Sequence, residues 1–143
     1  MQKKIILLDG GMGQELIKNS KSDPHPLWST YVMLKEPELV KKAHVDFIEA
    51  GARIVTLNTY STTPERLEAN NLSDKFSFFH KKAIDLAREA IDHTQKDVLI
   101  AGCLPPLVWS YRPDKAPDYE RCVELYLQIV REQEDFVDLF ICE

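Results

Sequence analysis

Four short, uninterrupted apolar runs recur through the chain, at residues 5–8, 54–57, 98–101 and 139–142, with starts roughly 40 to 50 residues apart. Each is continuous rather than alternating, the pattern of a strand covered on both faces. The segments between them carry apolar residues at helical spacing. Leu39, Val40, Ala43, Phe47 and Ile48 form one stripe, with Pro37 suited to a first helical turn and Gly51 to the C-terminal cap. Phe79, Ala83, Leu86, Ala87, Ala90 and Ile91 form a second. Tyr119, Cys122, Val123, Tyr126, Ile129, Val130 and Phe136 form a third, behind Asp118 as N-cap. Strand–helix alternation of this kind predicts an α/β fold with a parallel sheet, because a parallel crossover needs a helix between successive strands.

The chain has 143 residues, enough for one domain with a hydrophobic core, and its net charge is −5. That balance, with no basic stripe, argues against nucleic acid as a partner. No apolar run approaches the roughly 20 residues that span a bilayer, and the stretch after Lys4 is too short for a secretory leader. Cys103, Cys122 and Cys142 are odd in number and irregularly spaced, which fits reduced thiols better than a disulfide framework. The expected compartment is the cytoplasm.

Polar and Gly-rich groups follow each run. The first leads into Asp9-Gly10-Gly11-Met12-Gly13, the second into Asn58-Thr59-Tyr60, the third into Gly102-Cys103-Leu104-Pro105-Pro106, and the fourth into Glu143. Parallel α/β folds place their sites at the carboxyl ends of strands, in closed barrels and open doubly wound sheets alike. The loop at residues 9–13 is not a phosphate cradle. Leu16 stands where a dinucleotide fingerprint has its last glycine, and the Lys-Ser/Thr pair of a P-loop is missing. An acid at the loop entrance repels phosphate and suits an ammonium group; the competing reading is a plain tight turn into a helix around residues 14–17. Glu143 is either a site carboxylate or the first solvated residue of a loop, and the 58–60 segment either orients a small polar ligand or makes ordinary strand-end bonds.

His44, His80 and His93 fall within helical patterns without metal-ligand spacing, and His25 lies in a Pro-flanked loop; all four are expected to be surface or satisfied packing residues. Cys122 falls on an apolar helix stripe. Cys142 precedes Glu143, so strand alternation points the two to opposite sides and leaves Cys103 as at most one ligand. No metal site is expected from these residues.

Taken in order, the motifs resemble the homocysteine S-methyltransferase family. The matching stretches are Leu7 to Leu16; Leu27-Trp28-Ser29 with Pro37-Glu38-Leu39-Val40 and Ala43-His44; Ala50-Gly51-Ala52 leading to Asn58-Thr59-Tyr60; and Val137 to Glu143. The segment from Ala101 to Pro106, followed by Ser110-Tyr111-Arg112-Pro113-Asp114, looks like a branch variant, since many members have Gly-Pro at the proline pair.

The resemblance implies a (β/α)8 barrel, of which this chain would be the N-terminal half: parallel strands one to four with three intervening helices, an incomplete domain over residues 1–143 without strands five to eight. It implies transfer of a methyl group from an activated donor to the homocysteine thiolate, making methionine. A free thiol has a pKa near about 8.5, so at neutral pH it needs activation. In the family, zinc supplies this, held by three cysteines from the later strands, so no metal ligand and no catalytic residue falls in this half. Asp9 and Glu143 would grip the substrate ammonium group, with Gly10, Gly11 and Thr59 helping to orient the amino acid. The sequence does not choose among betaine, S-methylmethionine, S-adenosylmethionine and a corrinoid as donor. Two other readings are a non-catalytic half-barrel that binds an amino acid or assembles with a partner, and an unrelated open α/β domain with a nucleotide or acyl ligand. A half-barrel leaves strand edges free, which predicts homo-oligomers through those edges.

Overall fold

The computed structural model describes residues 5–143; residues 1–4, which enter the leader argument, lie outside the described residues. Three strands, β1 (Ile54–Thr56), β2 (Leu99–Leu104) and β3 (Leu139–Cys142), form a parallel sheet in sequence order. Ile54 stands opposite Leu99, and Ala101 opposite Leu139. The predicted third strand is longer than expected, because β3 pairs with β2 from Ala101 through Leu104 and carries Gly102 and Cys103 into the sheet.

The first apolar run is the exception. Residues 5–8 lie along the free edge of β1, tied by one parallel bridge between Leu8 and Ile54, yet they form no regular strand. The Arg53 N–H donates to the Leu7 carbonyl at 2.8 Å and the Asp9 N–H to the Ile54 carbonyl at 3.0 Å. Among the described residues the run pairs along one edge only, and its faces are not covered as expected: Ile5 is 90% exposed and Leu8 47%.

Six α-helices occur among the described residues: α1 (Met12–Asn19), α2 (Trp28–Lys35), α3 (Pro37–Glu49), α4 (Pro64–Glu68), α5 (Phe76–Thr94) and α6 (Tyr119–Gln133). The helices α3, α5 and α6 stand where the three apolar stripes predict them, but the third stripe is displaced: Tyr119 and Val123 are exposed, Phe136 lies past α6, and Leu125 is buried in their place. Their ends follow local chemistry. Pro37 opens α3, and Gly51 takes φ +111 just beyond it, where a side chain would be strained. Asp118 caps α6 by accepting the Arg121 N–H at 2.9 Å. Thr63 caps α4 in the same way.

Helix α2 carries no apolar stripe because its buried face mixes Ser29 and Thr30 with Val32 and Met33, while the apolar Trp28 is exposed. The main core joins α1, α2, α3 and α5 to the sheet through Leu16, Met33, Val40, Ile48, Phe79 and Leu86. Fully burying one such side chain contributes about 1.5–3 kcal/mol. A smaller cluster, Leu107, Leu125 and Ile129, seats α6 under the segment that follows β2. These two clusters fix the carboxyl ends of the strands against α5 and α6.

Candidate functional site

Asp9 follows the Leu8 bridge, and its side chain turns onto β1. One carboxylate oxygen accepts the Thr56 backbone N–H at 2.7 Å, the other the Thr56 hydroxyl at 3.0 Å. Burial holds its carboxyl above the ordinary range; the Thr56 bonds pull it back, and the Glu143 charge pushes it further up. Of these influences on Asp9 the Glu143 charge is the smallest. Among the described residues, neither carboxylate is ion-paired.

Glu143 is exposed at the end of β3, and its backbone N–H donates to the Leu104 carbonyl at 3.1 Å. Its carboxylate accepts the Cys103 thiol at 3.3 Å. Cys103 is 1% exposed. Burial pushes its thiol well up, and the Glu143 charge and hydrogen bond add to this; the Thr59 hydroxyl and the Arg66 cation work the other way.

Gly11 is the N-cap of α1, and its carbonyl accepts the N–H groups of Gln14 and Glu15 at 3.1 Å each. A β-carbon on Gly10 would lie 2.7 Å from the Phe47 ring, so this glycine lets the turn pack on α3. Thr59 is buried, and Gln133 Nε2 donates to its hydroxyl at 3.4 Å. Asn58 donates to the Ser29 carbonyl at 3.0 Å, and the Tyr60 hydroxyl meets Ser110 Oγ at 2.6 Å. The structure thus gathers Asp9, Thr59 and Glu143 around the strand ends, with Gly10 and Gly11 following Asp9 in the chain.

Two groups hold this rim that the sequence reading passes over. Arg66 on α4 donates to the Val108 carbonyl at 3.0 Å and the Pro106 carbonyl at 3.1 Å, fastening the segment after β2. The other is a buried chain of neutral groups. Gln133 Oε1 accepts the Cys103 N–H at 3.1 Å, which fixes the amide orientation, since a backbone N–H can only donate. Gln133 Nε2 then donates to His80 Nδ1 at 3.0 Å, leaving the ring proton on Nε2, which donates to the Thr62 carbonyl at 3.2 Å. Burial lowers His80 to about 4, so the ring is neutral at pH 7. The signal available in the sequence is position: Gln133 continues the Leu125–Ile129 series by one more helical step, a polar residue on an apolar stripe.

His80 is thus a satisfied packing residue, as expected. His44 is not: it is fully buried with both ring nitrogens unpartnered, and burial lowers it to about 4. Its place on an otherwise apolar face of α3 gives it no acceptor or donor.

No three His, Cys, Asp or Glu side chains come together as a metal-binding group among the described residues. Cys103 donates to Glu143, Cys122 to the Pro117 carbonyl at 3.4 Å, and Cys142 is exposed. The residues present do not fit a zinc site, and no step through zinc is assigned to them.

Fold and site define an α/β protein with a parallel sheet whose strand ends present two carboxylates, unpaired among the described residues, and neutral hydrogen-bonding groups. The family model for homocysteine S-methyltransferase matches residues 6–143, and the chain belongs to that family. It is 29% identical to the homocysteine S-methyltransferase of Escherichia coli over 99% of this chain and 50% of that one. It is 35% identical to homocysteine S-methyltransferase 2 of Zea mays over 66% of this chain and 28% of that one. The metallated form of the Escherichia coli homocysteine methyltransferase MmuM superposes with a TM-score of 0.85 at 28% identity, over 99% of this chain and 54% of that one. The chain spans about half the length of these bacterial relatives or less, in the maize case, of its match.

Proposed function

We propose that this chain is the amino-acid-holding part of a homocysteine S-methyltransferase, which moves a methyl group from an activated donor to the homocysteine thiolate and makes methionine. The supporting observation is the pair Asp9 and Glu143: two carboxylates at the strand ends, each bonded to neutral donors and neither ion-paired among the described residues. A substrate ammonium group placed between them relieves their repulsion and takes their free lone pairs. The N–H groups of Gly10 and Gly11 and the Thr59 hydroxyl orient the rest of the amino acid, so that sulfur can meet the methyl carbon in line.

In this reading residues 1–143 form one incomplete domain, the first half of a (β/α)8 barrel, working in the cytoplasm. Zinc and its ligands belong to the remainder of the enzyme, and this chain transfers no methyl group alone. Half coverage of the bacterial relatives supports this, as does the engagement of Cys103 and Cys122 in other hydrogen bonds.

The test is calorimetric titration of the chain with L-homocysteine under reducing conditions. Asp9→Asn and Glu143→Gln should each weaken binding by about 1.5–3 kcal/mol, the range for a charged hydrogen bond. Binding that neither variant changes, or none at all, overturns the clamp. Methionine formed by the chain alone from any of the candidate donors overturns the division of labour.

A further inference from the structure

The clamp acid Glu143 is exposed and follows the last strand, so its own backbone does little to aim it. What aims it comes from the neighbouring strand, β2. The Cys103 thiol donates to Glu143 at 3.3 Å, the Cys103 N–H is held by Gln133 Oε1 at 3.1 Å, and the same amide donates to the Thr59 hydroxyl at 3.4 Å. The other N–H of Gln133 is anchored by His80, whose ring is fixed by the Thr62 carbonyl. One buried amide at the last turn of α6 therefore connects α5, the segment after β1, the end of β2 and the acid that follows β3. Gln133 is fully buried, and all three of its hydrogen-bonding directions go to groups at or behind the rim.

We propose that Gln133 and Cys103 are positioning residues of the amino-acid clamp: Gln133 sets Cys103 and Thr59 in register, and the Cys103 thiol holds one Glu143 oxygen so that the other faces the ammonium group. This rests on the clamp reading of Glu143. Cys103 suits the role because its thiol stays protonated. Burial and Glu143 outweigh the opposing Arg66 cation and Thr59 hydroxyl, and a thiol is a weak donor that leaves the second Glu143 oxygen free to accept the ammonium.

The S–H stretching band reads this contact directly, since it moves to lower frequency as the thiol donates a stronger hydrogen bond. In a chain carrying Cys122→Ala and Cys142→Ala, only Cys103 contributes. Its band should lie at low frequency and rise in Glu143→Gln, a change at an exposed position that leaves folding intact. It should also rise in Gln133→Met, which keeps the volume and loses the amide. It should stay low in Gln133→Glu, whose protonated carboxyl can still accept the Cys103 N–H and donate a hydrogen bond to His80 Nδ1. A band that Glu143→Gln does not move overturns the proposal, as does one indifferent to Gln133→Met in a folded variant. Titration with L-methionine, which brings no S–H of its own, separates the two readings. A band that rises on adding methionine supports both. A band that answers the variants but not methionine keeps the positioning contacts and rejects the clamp.

Discussion

The amide oxygen of Gln133 lies 2.6 Å from the point where Gly102 would carry a β-carbon, and the Phe140 ring lies 2.5 Å from the same point. Helix α6 and strand β3 therefore both close on β2 at a position that only glycine leaves open. Gly102→Ala should cost about 1–3 kcal/mol by overpacking, and it should displace the Gln133 amide from Cys103. Urea denaturation measures the loss. A change under about 0.5 kcal/mol, within the usual range of neutral surface substitutions, would mean that the spacing at β2 is looser than described.

Much of this arrangement is legible in the sequence. The last three apolar runs are the sheet, and the three stripes are α3, α5 and α6, because burial on one or both faces leaves a periodic trace. The Asp118 cap and the Gly51 turn follow from residue chemistry alone. Helix α2 leaves no trace, since Ser29 and Thr30 lie on its buried face and Trp28 on its exposed one. The run at residues 5–8 has strand composition but only one neighbour, a circumstance no local pattern encodes. In the site, Asp9, Thr59 and Glu143 stand out by following apolar runs, whereas Gln133 and Arg66 reach it from helices that are distant in sequence. Such contacts depend on how helices pack, so a lone polar residue on an apolar stripe is the only hint.

Arg66 should matter for the order of the segment after β2. It is half-buried, lies over the Tyr60 ring at 5.2 Å, and satisfies two carbonyls of that segment. Arg66→Met keeps the stem and removes both bonds, at an expected cost of about 1.5–3 kcal/mol. Limited proteolysis should then cut faster within residues 105–117. Unchanged cleavage would show that the Thr63 hydroxyl bond to the Leu107 carbonyl suffices to hold the segment.

The exposed edge at residues 5–8 supports the proposal that the chain self-associates. Ile6 is 57% exposed and Leu8 47%, on a backbone that pairs with β1 from one side. An apolar edge of this kind is a template for pairing, and charge on it blocks that route. Ile6→Lys with Leu8→Lys should shift the chain toward monomer in sedimentation velocity at micromolar concentration. A wild-type chain that is monomeric across that range removes the basis for the proposal.

The two buried histidines should govern stability between pH 7.5 and 5. Both have folded-state values near 4, lowered by burial from the ordinary 6.5. A histidine lowered on folding binds its proton more readily when unfolded. Its contribution is therefore complete above about pH 6.5 and is lost as pH falls toward 4, amounting to about 3 kcal/mol per residue. Two other shifted carboxyl groups behave differently. Glu36, held near 2 by the hydroxyls of Ser20 and Ser22, loses its contribution only between its ordinary 4.5 and that value. Asp9 shifts the opposite way, and its raised carboxyl favours the folded state as the pH falls. The histidines differ in what replacement does at pH 7.5. His44→Leu removes a ring with two unpartnered nitrogens and should leave stability unchanged or improved. His80→Leu strips a partner from the Gln133 amide and from the Thr62 carbonyl, and should cost about 1–3 kcal/mol. Each variant should nonetheless lose less than the wild type on going from pH 7.5 to 5 in urea titrations. If His44→Leu loses as much as the wild type over that interval, His44 is not held neutral in the core, and the acid sensitivity has another source.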